Sequence, residues 1–291
     1  MKFAFLILHY LAVDETVNCV ESITKNINYE NYEIIIVDNA STNGTGEYLK
    51  DKYSNIDNIS VILNDKNLGF AKGNNVGFLY AVKELKCDYV CMINNDTLIN
   101  QENFIDIIID KYNEFGVAVM GPKIKQKDGK YTPILPPLKS LSFYKKALIC
   151  DYINLLKIYI GFDNVSLMNV LNKLIGRIPD DNSNINIDVN GEYKDVLLHG
   201  CCLIFTPNYI KKFVGINSKT FLFREEELLY IRLQINNLHS LYTGDLEITH
   251  LEDAATNMIK KKNRDKKIFM CKNRISSTKI LIQEMKNNII K

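Results

Sequence analysis

The sequence reads Cys87-Asp88-Tyr89-Val90-Cys91-Met92-Ile93-Asn94-Asn95-Asp96-Thr97, a hydrophobic run of β-forming residues that ends in polar residues. Such a run predicts a buried strand, and open α/β sheets bind their ligands at the carboxyl ends of the strands. Asp96 is therefore a candidate ligand for a divalent metal ion. The alternative is a turn followed by a helix cap, because Asn and Asp favour both. The tripeptide 94–96 alone favours the turn, so the choice depends on the rest of the chain.

Segments of the same kind lie on both sides of this run and alternate with stretches of helical periodicity. Hydrophobic runs predict strands at 3–9, 33–37, 59–63 and 117–120. The first predicted helix carries Val17, Val20 and Ile23 on one face, with Asp14 as its N-cap. Further helices are predicted over 44–53, in the segment ending at residue 85, and over 105–112. Strands that alternate with helices over about 120 residues predict a mostly parallel, layered α/β sheet.

The second half of the chain changes in character after residue 122. We predict a loop over 123–140, and then an apolar helix over 141–162 that is either buried or lies on a membrane surface. A polar loop is predicted at 177–195 and a strand at 196–205, followed by a short helix starting at Thr206-Pro207. Another helix begins near Glu225, and short strands are predicted at 239–243 and 247–250. The tail from residue 258 is predicted to be helical, with six basic residues in 260–267.

The composition narrows the classes of function. The chain has 291 residues, 46% of them hydrophobic, and a net charge of only +2, so no overall field favours nucleic acid. Its seven cysteines form no CxxC pair, and most lie in apolar runs, as expected of reduced thiols in a cytosol. No run approaches ~20 apolar residues, and the N-terminal run leads directly into a strand–helix pattern, so neither a membrane span nor a signal peptide is predicted. The two commonest phosphate loops, GxGxxG after the first strand and GxxxxGK[ST], do not occur.

Three further features join Asp96 at predicted strand or helix ends. Asp38 could accept hydrogen bonds from a base or a ribose, or it could cap the turn at Ser41. The loop over 67–75 could place backbone N–H groups and Lys72 near a diphosphate, or it could be a tight strand–helix turn. The acidic run 225–227 could complement a helix dipole, or one of its carboxylates could point into a pocket with a raised pKa and act as a general base.

Taken together, the sequence resembles a known family. The segments that carry the resemblance are "ILHYLAVDETVNCVESI", "IIIVDNASTNGT", "NDKNLGFAKGNNVGF", "YVCMINNDTLI", "HGCCLIFTPNYIKKFVGINSKTFLFREEELLYIRL" and "ITHLEDAAT". In this order they resemble the family 2 glycosyltransferases with the GT-A fold, especially the rhamnosyltransferase-like members that build bacterial surface polysaccharides. The resemblance covers most of residues 1–120 and 196–256.

The resemblance implies a fold and a division of the chain. The fold class is α/β, a GT-A type layered α/β/α domain with a mostly parallel central sheet, a helical acceptor-side insertion and a C-terminal helix. The glycosyltransferase domain would span 1–256, comprising a nucleotide-sugar-binding half over 1–122, a variable acceptor-side insertion over 123–195 and an acceptor or catalytic half over 196–256. Residues 257–291 would form a basic helical tail.

It also implies roles for individual residues. Asp96, with His250 nearby, would hold Mg²⁺ or Mn²⁺ against the diphosphate, and the Glu225-Glu226 pair would supply the base that deprotonates the acceptor hydroxyl. The remaining predicted positions bind the nucleotide sugar: His9 and Tyr10, Asp38 on the uracil or thymine imide, and Asn67, Gly69, Lys72, Asn75 and Asn95 around the donor.

The sequence departs from the family pattern in three places. Asn94 stands where the family has the first acid of its DxD motif. Glu226 stands where the family has Asp, so that either Glu225 or Glu226 could be the base. Asp253 and Ala255 replace the Gly and Ser that usually follow the histidine at 250.

The expected function is an inverting glycosyltransferase that moves a sugar from a UDP- or dTDP-sugar, with dTDP-rhamnose favoured. The expected acceptor is a hydroxyl of a glycan or lipid-linked glycan in cell-surface polysaccharide synthesis. One alternative is a non-catalytic nucleotide-sugar or glycan-binding protein, against which the carboxylates at 96, 225 and 226 argue. The other is a sugar-nucleotide pyrophosphorylase, which would need a glycine-rich basic loop that 10–15 lacks. We expect a cytoplasmic protein whose basic tail and 141–162 segment contact the inner face of the cell membrane, unless the tail is only a solvated charged helix.

Overall fold

The computed structural model describes residues 1–135, 138–161, 188–251 and 264–288. The elements of the first part, in chain order, are β1 (Phe3–His9), α1 (Val13–Asn26), β2 (Tyr32–Asp38), α2 (Thr45–Lys52), β3 (Ile59–Leu63), α3 (Phe70–Lys83), β4 (Tyr89–Asn94), β5 (Thr97–Leu98), α4 (Phe104–Phe115) and β6 (Val119–Gln126). The later elements are α5 (Leu141–Ile160), β7 (Glu192–Lys194), β8 (Cys202–Phe205), α6 (Pro207–Ile210), α7 (Glu225–Ile235), β9 (Ser240–His250) and α8 (Arg264–Asn288).

The strands form one sheet in the order β3-β2-β1-β4-β8-β6-β9-β5, with β7 paired to β9. The four strands β3-β2-β1-β4 run parallel, so their carboxyl ends meet at one edge. β8 lies antiparallel between β4 and β6, and β6 pairs in parallel with β9. This arrangement confirms the predicted α/β fold with helices against a central sheet.

The hydrophobic runs form the central strands, which are buried on both faces of the sheet. On one face, Phe5 and Ile7 of β1 pack in a core with Ile23 of α1. On the other face, Leu6 packs in a second core with Phe78 of α3. Alternate residues of a strand point to opposite faces, so a continuous apolar run supplies both cores.

A third core joins helices that are far apart in the sequence. Tyr144 of α5, Leu228 and Ile231 of α7, and Leu281 and Met285 of α8 pack together. The helix α8 lies along α5, where an Asp151 carboxylate accepts a hydrogen bond of 2.6 Å from Arg274 Nε. The helices of the insertion and of the tail therefore form one layer with α7. No helix of the described ranges is both long enough and apolar enough to cross a membrane.

Several boundaries differ from the sequence-based predictions. Asp14 does not cap α1, because Ala12 occupies the N-cap and Asp14 lies inside the first turn. Thr97 starts strand β5 instead of capping a helix. β8 is shorter than the predicted strand over 196–205, because the residues before Cys202 form a turn.

The largest differences lie where strands depend on distant partners. β6 continues to Gln126, into the predicted loop, because its last residues pair with Glu247–His250. The two predicted strands at 239–250 are one strand, β9, and β7 falls inside the predicted loop at 177–195 because it pairs with β9. The predictions for 162, 177–187 and 258–263 lie outside the described residues.

Candidate active site

A cavity of about 390 Å³ lies at the carboxyl ends of β1 and β4. Five predicted site residues line it: Tyr10, Asn67, Gly69, Asn95 and Asp96. Its other walls come from parts of the chain that carry no sequence-based prediction of donor binding, namely Asn39 after β2, Phe221 and Leu222 before α7, and Lys266, Phe269 and Met270 of α8. The cavity therefore joins the parallel half of the sheet to the C-terminal helices.

Asp96 and His250 lie together at the edge of this cavity. The short antiparallel pair β5–β9 brings Thr97 opposite His250, and the Asp96 carbonyl accepts a hydrogen bond of 2.9 Å from Leu251 N. The Asp96 Oδ1 and His250 Nε2 atoms are 3.1 Å apart, with side chains only 9% and 11% exposed. The pairing of β5 with β9 therefore fixes the position of Asp96, the predicted metal ligand.

The chemistry of these side chains fits a metal that is completed by substrate. Within the described ranges, no three or more His, Cys, Asp or Glu side chains are grouped as a metal site. Mg²⁺ commonly binds proteins through one or two carboxylates, with phosphate oxygens and water completing its shell. Asp96 at the cavity wall, with the His250 imidazole beside it, provides that kind of partial shell.

His199 is a second histidine at this edge, and sequence reasoning assigned it no role. Its ring centroid lies 6.0 Å from that of His250, and its Nδ1 accepts a hydrogen bond of 3.2 Å from Cys201 N. Burial, together with His250, lowers the pKa of His199 to about 4, although Asp96 acts in the opposite direction. His199 is therefore neutral near pH 7. The sequence signal that could have identified His199 as a site residue was its position in the segment "HGCC".

The acidic run at 225–227 begins helix α7. Burial raises the pKa of Glu225 to about 7, with the neighbouring Glu226 contributing, and Thr220 donates a hydrogen bond of 2.9 Å to its Oε1. Burial also raises the pKa of Glu226, whose Oε1 accepts a hydrogen bond of 3.2 Å from Gly200 N. Both carboxyl groups therefore hold protons at higher pH than an exposed glutamate does.

The backbone before these glutamates is strained. Phe223 and Arg224 both have positive φ, 75° and 72°. Such non-glycine residues cost about 1–3 kcal/mol each and persist where the surroundings hold them. Arg224 is held by Glu227, at 2.6 Å, and by a hydrogen bond of 3.3 Å to Thr278 of α8. The start of α7 is thus set by contacts with its own first turn and with the C-terminal helix.

A single turn connects the two acidic parts of the site. Asn94 N, at the end of β4, donates to the Cys201 carbonyl at 2.8 Å, while Gly200 N binds Glu226. Asp96 and Glu226 both act on Cys201, where they add to the effects of burial and of Cys202 in raising the pKa of its thiol. The turn at 199–202 therefore contacts the candidate base directly and contacts the chain two residues before the candidate metal ligand.

Two predicted nucleotide-binding residues are buried beneath the cavity wall. His9 is fully buried, and its ring nitrogens lie 2.8 Å from Thr16 Oγ1 and 2.9 Å from Thr45 Oγ1. Burial lowers its pKa. Asp38 is buried as well and accepts a hydrogen bond of 3.1 Å from Ser41 N, the turn cap considered above as its alternative role. Neither side chain lines the cavity, so a contact with the nucleotide stays a prediction for both.

The predicted donor-binding residues in and after the loop before α3 also include some that line the cavity and some that do not. Asn39 organises it, since its Nδ2 donates to Asn67 Oδ1 at 3.0 Å and its Oδ1 accepts from Leu68 N at 2.9 Å. Lys72 lies exposed on α3, outside the cavity lining. Asn75 binds both backbone polar groups of Ile216, which anchors α3 to the segment before α7. Donor-binding roles for Lys72 and Asn75 stay predictions.

Gly69 has a position that only glycine fits. Its φ is +79°, and a Cβ there would collide with the Phe221 carbonyl and ring. The neighbouring Phe70 N donates to the same carbonyl at 2.8 Å. Gly69 therefore permits the close contact by which the segment before α7 closes one side of the cavity.

Comparison with known proteins assigns the fold to a family. Residues 5–163 match the family model "Glycosyl transferase family 2". Glycosyltransferase GlyG of Streptococcus pneumoniae serotype 4 (strain ATCC BAA-334 / TIGR4) is 34% identical over 99 residues, which make up 34% of this chain and 31% of GlyG. The match thus spans about a third of that relative.

Solved structures of S. aureus TarS share the architecture. TarS 1–349 superposes with a TM-score of 0.53 at 16% identity, covering 94% of this chain and 71% of that one. The same fragment in complex with UDP gives a TM-score of 0.54, again at 16% identity and with the same coverage. At this identity, the similarity shows a common fold.

Proposed function

Because the chain belongs to glycosyl transferase family 2 and has its GT-A type α/β fold, we propose that it transfers a sugar from a nucleoside diphosphate sugar to an acceptor hydroxyl. One observation carries the proposal: the turn at 199–202 accepts a hydrogen bond from Asn94 N and donates one to the Glu226 carboxylate, while Asp96, two residues after Asn94, lines the cavity. Transfer with inversion needs a group that stabilises the leaving diphosphate and a base on the acceptor side. These two carboxylates meet that requirement.

On the donor side, Asp96 and His250 would hold Mg²⁺ or Mn²⁺. A bound divalent ion supplies positive charge that stabilises the departing nucleoside diphosphate. The protein's own part is to hold Asp96 and His250 side by side through the pairing of β5 with β9, which puts Asp96 Oδ1 and His250 Nε2 3.1 Å apart. Asn94 and Asn95 contribute neutral side chains to the same wall, which leaves Asp96 as the only carboxylate among the described residues that line the cavity.

On the acceptor side, Glu226 would take the proton from the acceptor hydroxyl. Its raised pKa suits a general base, because a carboxylate of ordinary pKa is a weak proton acceptor near pH 7. Gly200 N–H binds Oε1 and orients the carboxylate. The hydroxyl oxygen then attacks the anomeric carbon from the face opposite the diphosphate, which leaves, and the configuration at the anomeric carbon is inverted. Glu225 would hold a second proton beside it, since its pKa is about 7.

The proposed donor is a UDP- or dTDP-sugar, with dTDP-rhamnose as the favoured one. Two observations support different donors. TarS, which shares this fold, has been solved with UDP, whereas the sequence motifs resemble rhamnosyltransferase-like members of the family. The proposed acceptor is a hydroxyl of a glycan or lipid-linked glycan of the cell surface.

A thermal-shift panel of UDP-, dTDP- and GDP-sugars, each with and without Mn²⁺, tests the donor. A ligand that binds the folded protein raises its melting temperature, by an amount that grows with its concentration over Kd. We expect the true donor to stabilise the wild type more with Mn²⁺ than without it. A chain that no nucleotide sugar stabilises would contradict the proposal. A chain that is stabilised but transfers no sugar to any glycan acceptor would be a binding protein instead.

We further propose that one face of α5 contacts an anionic membrane, which would bring the protein to a lipid-linked acceptor. Ile149, Tyr152, Leu156 and Tyr159 are all exposed, and their spacing places them on one face of the helix. Lysines of α8 flank this face, with Lys279 Nζ 5.3 Å from the Tyr152 ring centroid. An apolar and aromatic stripe beside lysines matches a surface of anionic lipids.

Co-sedimentation with vesicles tests this contact. The wild type should sediment with phosphatidylglycerol vesicles more than with phosphatidylcholine vesicles, and Leu156→Glu should reduce the sedimented fraction. Tyr48→Ser, at an exposed tyrosine of α2, is the matched control and should sediment like the wild type. Sedimentation that does not respond to anionic lipid would rule the contact out.

A further inference from the structure

The C-terminal helix forms one wall of the donor cavity. Lys266, Phe269 and Met270 of α8 line it, and their spacing of three and four residues places them on one helix face. Asn95 and Asp96, directly after β4, line the same cavity. Lys266 and Asp96 are 170 positions apart in the sequence.

Specific contacts hold α8 in this position. The Phe269 ring meets the Phe221 ring edge-on, with centroids 5.8 Å apart. Ser277 Oγ donates to the Leu222 carbonyl at 2.7 Å, and Thr278 accepts from Arg224. The helix is thus bound to the segment that leads into the candidate base, along three of its turns.

The charged residues of the cavity lining do not balance the negative charge of its proposed ligand. Among the described residues that line it, Asp96 and Lys266 are the only charged ones. A donor diphosphate brings further negative charge next to the Asp96 carboxylate, which repels it at close range. A divalent ion at Asp96 would offset only part of the combined negative charge of the diphosphate and the Asp96 carboxylate. Among the described residues, Lys266 is the one cation on the lining.

The other contacts of Lys266 leave its charge available to a ligand. Its side chain is half-buried and lines the cavity. It forms no ion pair with an acidic side chain of the described ranges, whereas Arg264 in the same turn donates to the Tyr159 carbonyl at 2.6 Å. A half-buried lysine that has no such partner and lines a cavity suits an anionic ligand.

We propose that Lys266 is a donor-binding residue whose ammonium group binds the diphosphate of the nucleotide sugar in the cavity that Asp96 also lines. This rests on the proposed function. Phe269 and Met270 would form the apolar wall beside it and exclude water from the charged groups. A lysine suits this role because its ammonium group acts as a compact, mobile charge toward phosphate oxygens.

Calorimetric titration with UDP, dTDP and the corresponding nucleosides tests the proposal. We expect Lys266→Ala to weaken binding of the preferred nucleoside diphosphate about tenfold, and to leave binding of its nucleoside unchanged. Lys266→Arg keeps the charge and should retain affinity within about threefold. Lys286→Ala, at an exposed lysine near the other end of α8, is the matched control and should bind like the wild type.

The outcomes separate this inference from the proposed function. A wild type that binds neither UDP nor dTDP would overturn both. A wild type that binds one of them, with Lys266→Ala of equal affinity, would overturn the role of Lys266 alone. An equal loss for diphosphate and nucleoside would show that the substitution displaces the helix wall, and would also overturn the role of the charge. Melting temperatures without ligand show whether each variant is folded.

Discussion

His250 Nε2 lies 3.1 Å from Asp96 Oδ1, although 154 positions separate the two residues in the chain. The contact exists because β9 ends beside β5, immediately after Asp96. A histidine in the second half of the chain therefore sets the orientation of a carboxylate that the first half delivers. The surroundings of the candidate metal ligand Asp96 therefore depend on strands from both halves of the chain.

Asp96→Asn should remove the metal dependence of donor binding. The substitution keeps the shape of the side chain but removes the negative charge that attracts a divalent ion. We expect the affinity for UDP in Mn²⁺ to fall to the value measured in a chelator, by about tenfold or more. Isothermal titration in the two buffers measures this, with Asp65→Asn, in the exposed loop after β3, as the control. Affinity that still responds to Mn²⁺ would remove Asp96 from the metal site.

Glu226→Gln should stop transfer and leave donor binding intact. Glutamine can still accept the hydrogen bond from Gly200 N but cannot take a proton, so kcat should fall about a hundredfold to ten-thousandfold. Steady-state kinetics with titration of the donor separates the two effects. If Glu226→Gln turns over normally while Glu225→Gln does not, then Glu225 is the base.

Glu225 should make the protein less stable as pH rises from about 5 to about 7. Its pKa in the folded protein is about 7, above the ordinary 4.5, so the folded state binds the proton more tightly than the unfolded state. The resulting stabilisation is complete below pH 4.5 and is lost as pH rises through 7. Screening at a partly exposed group limits it to about 1–2 kcal/mol. Denaturant unfolding at several pH values should show a smaller pH slope for Glu225→Gln, while Glu47→Gln, at an exposed position, should leave the slope unchanged.

Gly69→Ala should destabilise the protein more than Gly44→Ala does. Both glycines have positive φ, +79° and +76°, but ψ is −176° at Gly69 and 6° at Gly44, and of the two only Gly69 would bring an added Cβ against other atoms, those of Phe221. Gly44→Ala should therefore cost about 1 kcal/mol of unfolding free energy, and Gly69→Ala, through both its backbone and the Phe221 contact, about 1–3 kcal/mol more. Denaturant unfolding measures the difference. Equal costs for the two variants would contradict a special requirement for glycine at Gly69.

Local sequence patterns predict the parallel half of the fold well. β1 and β3 occupy the predicted residues, because a run of apolar β-formers buried on both faces needs no information beyond itself. The edge elements were less predictable. β7 and the end of β6 are polar or mixed, and they form strands because β9 pairs with them.

The site residues that could be predicted lie in the segments that follow β1, β3 and β4. Tyr10, Asn95 and Asp96 come just after hydrophobic runs, Asn67 and Gly69 lie in the loop after β3, and all five line the cavity. Lys266 and Phe269 lie in a tail whose charge pattern favours surface contacts, so their position at the cavity depends entirely on how α8 packs. His9 was also predicted as a site residue, but its side chain does not line the cavity. Its two ring nitrogens form hydrogen bonds with two threonines inside the wall.

The position of β8 has a consequence for how the chain folds. β8 is near residue 200, yet it fills the gap between β4 and β6, which both precede it in the sequence. During synthesis, β4 therefore remains an open sheet edge until more than one hundred later residues have been made. A fragment that ends at residue 128, in the turn after β6, should aggregate when expressed alone, and should recover when the remainder of the chain is co-expressed as a second fragment. Light scattering and co-purification of the two fragments would measure both effects.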